Sequence, residues 1–471
     1  MGSLSETLYL KSPPWAQQIA VAAYGWWWYR RRFSPDFHLL TQEFKTREKW
    51  DMSRFQEYQE RLLGELLKAA QRSPYYRQVF QEAHLDRTLP AFEALKRLPL
   101  LSKETLRTRG SELLTEETLP KGTIRLRSSG TTGTPSEIYY TKHFHALELA
   151  VREARNLNWA GVCYRDRRVM FGSRKVCHID QDRPPFWRYS PVEDLAYGSI
   201  YHLSPKFLPA YMSFLRQYKP SVIMGYPSAL NILARYALEQ NDLPAPARVV
   251  VTTAETLTEP IRQALESAWQ CRVYDRYGSV EGCIFASVCE YNRYHVSPEI
   301  GILEIVDRNG NLCPPGEIGQ VVCTGLHNKL QPLIRYCLGD AARWAVKQSC
   351  QCDRNMPIVE AIEGRFEDIC FTPDGRQVLR FDTVFKGVSN IKEAQVVQEQ
   401  RNLFVINVLP ANGFDERDVT KIKHNMHLHV GKVNVQVKLV STIERSRSGK
   451  FRAVISNLPK ESKTLASQPS S

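Results

Sequence analysis

The chain has 471 residues, enough for two or three domains. Hydrophobic residues at 43% and charged residues at 24% exclude a disordered chain or a simple fibrous repeat. The formal net charge of +13 suits nucleic acid, anionic lipid or phosphate-bearing small molecules, and does not choose among them. Eleven cysteines, all between Cys163 and Cys370, form an odd set without regular spacing. They predict a reducing, cytoplasmic setting with most thiols buried as small apolar groups.

In chain order, residues 1–14 show no cleavable signal pattern, and no uninterrupted run of about 18 apolar residues predicts a spanning helix. The segment Ile19 to Tyr29 places Trp26, Trp27 and Trp28 beside Arg30, Arg31 and Arg32. Aromatics next to arginines suit peripheral membrane contact; a helix packed on its own domain is the favoured reading. Residues 40–110 read as helices, with apolar positions 62, 63, 66, 67 and 70 in a 3.6-residue period. From 120 to 365 short β-rich runs (168–171, 221–224, 248–252) alternate with helical stretches (144–160, 206–219, 228–240, and one opening at Thr258). That alternation predicts an α/β architecture with largely parallel sheet. Segments 302–306 and 318–323 read as antiparallel strands around the turn Asp307–Gly310. A strand at 403–409, a helix at 415–430 and a strand at 433–439 predict a β-α-β unit.

Ser128-Ser129-Gly130-Thr131-Thr132-Gly133-Thr134-Pro135 follows a short β-like run. Its glycines let backbone approach an anion, and its amides and hydroxyls can surround phosphate oxygens. The spacing is not that of a P-loop. On its own the run reads equally as a Ser/Thr/Gly surface loop. Its company resolves the matter: Tyr277-Gly-Ser-Val-Glu281, Gly316-Glu-Ile-Gly319, Pro332 to Asp340, Gly364-Arg365-Phe-Glu367-Asp368 and Ser448-Gly-Lys450 follow in order.

This series resembles the motifs of the acyl-adenylate-forming superfamily, and its style, with Ser73-Pro-Tyr-Tyr-Arg77 upstream, resembles the phenylacetate–CoA ligase branch and its capsule-biosynthesis relatives. The resemblance implies a large N-terminal adenylate-forming domain, with α/β subdomains and a small β-barrel-like part, and a small C-terminal α+β domain. The expected partition is a helical region over 1–110, the adenylate-forming core over 111–366 and a mobile domain over 367–471. It implies ATP and Mg²⁺ as cofactors, a small-molecule carboxylic acid as substrate and CoA as co-substrate. The 128–134 loop would hold phosphates, Glu281 the Mg²⁺, Tyr277 the adenine, Asp340 the ribose, and Arg365 ribose or phosphate. Lys450 would reach acyl carboxylate and α-phosphate; without the motif order it is a solvated lysine in a basic run. Glu367 stands at the family's hinge position, where the bland alternative is an exposed acid in a linker.

Two departures from the pattern stand out, the first at a phosphate charge contact and the second at the loop that presents the acceptor in relatives. Ser136 stands where many relatives carry Lys, and 371–400 lacks the Gly-x-x-x-x-Pro-x-x-Ile-Glu pattern that follows the hinge in relatives. Transfer to CoA is therefore less well founded than adenylation. An adenylating enzyme with a non-CoA acceptor and a degenerate membrane-surface scaffold stand as alternatives; nucleic-acid binding is not expected. Cys350-Gln-Cys352, with Cys289 and His295 upstream, could close a tetrahedral structural zinc site. Cys283 is the substitute ligand, and buried free thiols with a satisfied histidine are the other reading.

Overall fold

The computed structural model describes residues 3–86, 88–127, 136–373, 376–378, 381–385, 387–388, 390–446 and 450–459. Seven helices lead the chain: Ser3–Lys11, Pro14–Arg32, Pro35–Arg47, Met52–Ala70, Pro74–Glu82, Ala91–Arg97 and Lys103–Thr108. Their starts are written locally. Ser34, Asp51, Ser73 and Ser102 each accept a backbone N–H from three residues on, and Pro opens three of the helices.

A twelve-stranded sheet forms the body of the molecule. Leu195–Ser199, Arg168–Gly172, Val222–Gly225, Val249–Thr253 and Val273–Gly278 lie side by side and parallel, with Trp187–Ser190 antiparallel on the edge. The central strands Val222–Gly225 and Val249–Thr253 are buried apolar runs because both faces are covered. On one side Leu215, Leu230, Leu233, Leu265 and Trp269, from the helices Leu208–Tyr218, Pro227–Glu239 and Glu259–Trp269, pack against Val169, Ile223 and Val250. On the other, Phe55, Leu157 and Trp159 pack against Val222, Val249 and Val251.

After Gly278 the chain reverses. Phe285–Val288 runs antiparallel to Val273–Gly278, and Tyr294–Val296, Ile358–Arg365, Tyr336–Trp344, Gly319–Gly325 and Gly301–Val306 continue the sheet antiparallel. A second, four-stranded sheet combines Ile391–Gln400, Leu403–Pro410, Asn434–Leu439 and Val454–Ser456, with the helix Glu416–Val430 on one side. The expected β-α-β unit is present, its two strands parallel. The helix starts with a reciprocal cap between Asp415 and Asp418.

Two elements differ from expectation. The helix expected over 144–160 is an α-helix only over Lys142–Arg152 and widens into a π-type turn over Glu153–Leu157. The widening turns polar side chains inward, where they find buried partners. Asn156 donates to Ser287 Oγ at 2.8 Å, and Arg155 meets Glu299 at 2.5 Å with both side chains fully buried. Segment 391–400, where no family motif is legible, is a strand of the small sheet.

Removing Glu299 leaves the fully buried Arg155 with the longer, part-exposed pairing to Glu48 at 3.4 Å, an incomplete compensation of a buried charge. Glu299→Ala should lower stability by about 3–5 kcal/mol. The midpoint of the first urea transition measures it, and an unmoved midpoint refutes the importance of the pair.

Candidate functional site

Ligands of open α/β sheets bind outside the carboxyl ends of the parallel strands. Here those ends carry Tyr226 after Val222–Gly225, Ala254 and Glu255 after Val249–Thr253, and Tyr277 at the end of Val273–Gly278. The strand reversal then folds Asp340 and Arg365 toward Tyr277. Asp340 and Arg365 are register partners across two antiparallel strands, and their side chains pair at 3.2 Å. The Tyr277 hydroxyl donates to the other Asp340 oxygen at 2.7 Å. The residues before the pair, Gly339 and Gly364, have φ of +74° and +108°. Only glycine adopts such backbone freely, which accounts for Gly-Asp and Gly-Arg in the sequence.

Glu281 is buried, and one of its oxygens accepts from the Tyr336 hydroxyl at 3.2 Å. Burial, together with the Asp340 charge, raises the Tyr277 pKa. Asp340 raises that of Arg365 in spite of burial.

Lys450 comes from the small domain. Its Nζ lies 6.0 Å from the centre of the Tyr226 ring. Its own backbone is fixed by Ser446, whose hydroxyl accepts from Lys450 N at 3.0 Å and whose N–H donates to Lys450 O at 2.9 Å. Burial and then the charge of Arg365 lower the Lys450 pKa, while Asp340, Glu255 and Glu281 oppose the shift.

Glu255 escaped the sequence reading. Its two oxygens accept Ser228 N at 3.0 Å and Phe451 N at 2.7 Å, so one carboxylate ties a helix start of the large domain to the residue after Lys450. Burial raises its pKa. Ala254, immediately before it, sits at φ +71°, a left-handed turn rare outside glycine. An acid directly after a β-rich run was the available signal, but it has no motif.

Arg452 pairs with Asp368 beside the expected hinge, which is a single helical turn, Phe366–Asp368. The Glu367 side chain and the loop from Ser128 to Thr134 lie outside the described residues. The strands that flank the loop, Ile124–Arg127 and Glu137–Tyr140, pair antiparallel.

Cys289, His295, Cys350 and Cys352 do meet, with ligand atoms within 4.8 Å of one another. The sheet brings them together. Cys289 and His295 flank the hairpin between Phe285–Val288 and Tyr294–Val296, and His295 is the register partner of Ile358, just beyond the Cys350–Cys352 loop. Cys289 and Cys350 sulfurs are 3.6 Å apart, and Cys352 Sγ is 3.3 Å from His295 Nε2. Tetrahedral zinc with ordinary bond lengths would set these at roughly 3.8 and 3.5 Å, so the donor set fits the ion. His295 Nδ1 faces the Met356 carbonyl at 3.4 Å, the usual outer support of a ligating imidazole. Burial pushes the Cys289 thiol up to about 12 and His295 down to about 4. Cys283 is not among the four; its thiol faces the Glu281 carbonyl.

Residues 127–328 match the AMP-binding enzyme family, and residues 370–457 match the CapK C-terminal domain. The chain thus carries an AMP-binding domain followed by a CapK C-terminal domain, the make-up of an AMP-forming ligase. It is 24% identical to Protein CapK of Staphylococcus aureus over 96% of this chain and 99% of that one. It is 26% identical to a phenylacetate-coenzyme A ligase of Pseudomonas putida over 86% of each chain. The fold is that of a 2-hydroxyisobutyryl-CoA ligase in the postadenylation state, with a TM-score of 0.69, 18% identity, and coverage of 89% of this enzyme and 92% of that one. In the thioesterification state that ligase gives 0.54 at 20% identity, covering 87% and 91%.

Hydrogen bonds to a charged group contribute about 1.5–3 kcal/mol. In Glu255→Ala the Phe451 amide should therefore exchange with solvent deuterium at least about tenfold faster. Unchanged exchange would mean that Glu255 does not hold the two domains together.

Proposed function

We propose that the enzyme activates a small carboxylic acid with ATP to an acyl-adenylate and passes the acyl group to CoA. The observation that carries this reading is the Tyr277–Asp340–Arg365 network at the strand ends, with Lys450 brought in from the other domain. A ribose needs hydrogen-bond acceptors, which Asp340 supplies; the adenine needs a flat wall, which Tyr277 supplies. Glu281 offers the hard oxygen donor that Mg²⁺ favours. The loop Ser128 to Thr134 is assigned the phosphates by its motif.

In the first step a carboxylate oxygen attacks the α-phosphorus, the bond to the bridging oxygen breaks, and pyrophosphate leaves. Two anions must approach each other, so catalysis consists largely of alignment and charge neutralisation. Lys450 supplies a positive charge between acyl carboxylate and α-phosphate, and Arg365 supplies a second one. In the second step the thiol loses its proton to solvent, its sulfur attacks the acyl carbon, and the acyl carbon–oxygen bond breaks to release AMP. We assign residues 367–471 to a domain that turns about the Glu367 segment between the steps.

A non-CoA acceptor is the second reading. It is favoured by the CapK-type C-terminal domain and by the missing post-hinge pattern between 371 and 400. Phenylacetate and 2-hydroxyisobutyrate, named in its relatives, open the panel of acids to test.

Acid-dependent exchange of labelled pyrophosphate into ATP tests the first step. Lys450→Ala should lower it about a thousandfold. Lys450 works as a cation, and its lowered pKa means that the charge disappears as pH rises, earlier than for a free lysine. Exchange in the wild type should thus fall on the alkaline side below the ordinary lysine value of 10.5, and Lys450→Arg should remove that limb. Exchange that survives Lys450→Ala rejects the role. With CoA added the best acid should yield a thioester; adenylate that accumulates without one transfers the assignment to the other acceptor.

We also assign Zn²⁺ to Cys289, His295, Cys350 and Cys352. Elemental analysis should find about one zinc per chain, lost in Cys350→Ser/Cys352→Ser. Equal zinc in wild type and variant refutes the site.

A further inference from the structure

The helix Pro14–Arg32 is attached to the enzyme by a mixed face: Val21, Trp28 and Tyr29 pack on it, and polar groups lock the contact. Gln17 Nε2 donates to Tyr9 O at 2.9 Å, and Gln17 Oε1 accepts from the buried Arg188 Nε at 3.1 Å. Gln18 exchanges two hydrogen bonds with the backbone of Tyr189, at 2.6 and 3.0 Å. Gly25 lies so close to Ser190 that a Cβ would come within 2.1 Å of its hydroxyl. Arg31 donates to Gly122 O at 2.6 Å, and Arg32 pairs with Glu193 at 3.1 Å.

The opposite face carries large apolar groups. Trp15, Ile19, Trp26 and Trp27 are 68, 60, 52 and 49% exposed. Positions 15, 19, 23 and 26 follow the helical repeat, so Trp15, Ile19, Ala23 and Trp26 form one stripe with Trp27 at its margin. An ordinary surface helix does not leave its largest apolar groups on the solvent side. Tryptophan on an exposed face suits the boundary between water and hydrocarbon, where its ring is buried and its N–H stays wet.

The charges on this face choose the occupant. Residues 7–35 contain Lys11, Arg30, Arg31 and Arg32 and no acid. Lys11, three residues before the helix, and Arg30, in its last turn, are exposed, and the Arg30 guanidinium lies 4.3 Å over the Trp26 ring. A second copy docking by two-fold symmetry would set these cations against each other with no acid in the segment to pair them. An anionic headgroup layer complements both the charge and the apolar stripe. No described helix is long and apolar enough to cross a membrane, and the inward side is already committed to the protein, so this helix fits a surface and not a span.

We propose that the outward face of Pro14–Arg32 docks the enzyme on an anionic lipid surface, with Trp15, Ile19, Trp26 and Trp27 entering the headgroup boundary and Lys11 and Arg30 meeting lipid phosphates.

The test is flotation of the full chain with phosphatidylcholine vesicles, with and without phosphatidylglycerol. Wild type should float with the mixed vesicles, more weakly at high salt. Trp26→Ser/Trp27→Ser should weaken partition at least about tenfold while pyrophosphate exchange in solution stays unchanged, which reports a folded enzyme. Brominated lipid should quench wild-type tryptophan fluorescence, a readout that needs no variant. Equal flotation of wild type and variant, equal binding to neutral and anionic vesicles, or the absence of quenching overturns the proposal. So does a wild-type dimer in light scattering that the double variant dissociates.

Discussion

One half-buried carboxylate joins the two halves of this enzyme. Glu255 receives an amide from Ser228 of the large domain and an amide from Phe451 of the small one. Lys450 is one residue away from the second contact, so its position over Tyr226 depends on that bond. The arrangement is economical in charge. Tucked among Arg365 and several acids, Lys450 loses some of its hold on the proton to burial and Arg365, and regains part of it from Asp340, Glu255 and Glu281. A carboxylate bound to two backbone amides is also a contact that can be broken and remade without chain rearrangement. Both donors are ordinary peptide groups that water can satisfy in place of the carboxylate.

The rest of the site depends on strand direction. Parallel strands deliver Tyr226, Glu255 and Tyr277 at one end of the sheet, and the antiparallel strands that follow return Asp340 and Arg365 to the same end. The strand Ile358–Arg365 spans the two special regions. Near its start, Ile358 pairs with His295; at its end, Arg365 pairs with Asp340. The Cys350–Cys352 loop leads into this strand. Arg354 holds that loop to Glu48 at 2.5 Å and to Glu290 at 2.6 Å, independently of any ion. The ion pairs fix the path of the loop that brings Cys350 and Cys352 to Cys289 and His295.

Much of this was legible in the sequence because the chemistry demands particular residues at particular backbone shapes. Gly339 and Gly364 announce left-handed backbone beside Asp340 and Arg365, and such positions survive as motifs. The alternation of β-rich and helical runs gave the parallel sheet, since strands buried on both faces read as continuous apolar runs. Cys350 and Cys352 could be paired with Cys289 and His295 by composition, although the register that unites them was not visible. Glu255 was invisible because its role is set by what approaches it from another domain, which no local pattern encodes. The strand Ile391–Gln400 was hidden for a related reason. Its polar residues Gln395 and Gln398 interrupt the apolar pattern, yet both are buried and bonded, Gln398 to the Phe371 backbone and Gln395 to Arg452 O.

The N-terminal helix shows the same limit from the other side. Its sequence has a helical period and abundant aromatics, and the favoured expectation, a helix packed on its own domain, describes one face of it. Periodicity finds an apolar stripe but carries no information on which side the protein lies. Here the side is set by polar complementarity. Rolling the helix by one position, about 100°, would bring a tryptophan toward the sheet edge but would take Gln17 away from Arg188. Arg188 is buried, and burial already weakens its hold on the proton, so losing the glutamine would leave a desolvated cation poorly solvated. Gly25 adds a steric pin, since no other residue of the helix could take its place against Ser190 without a clash. The outward tryptophans are therefore a consequence of how the inward face is locked, and the helix has no low-cost way to hide them within the monomer.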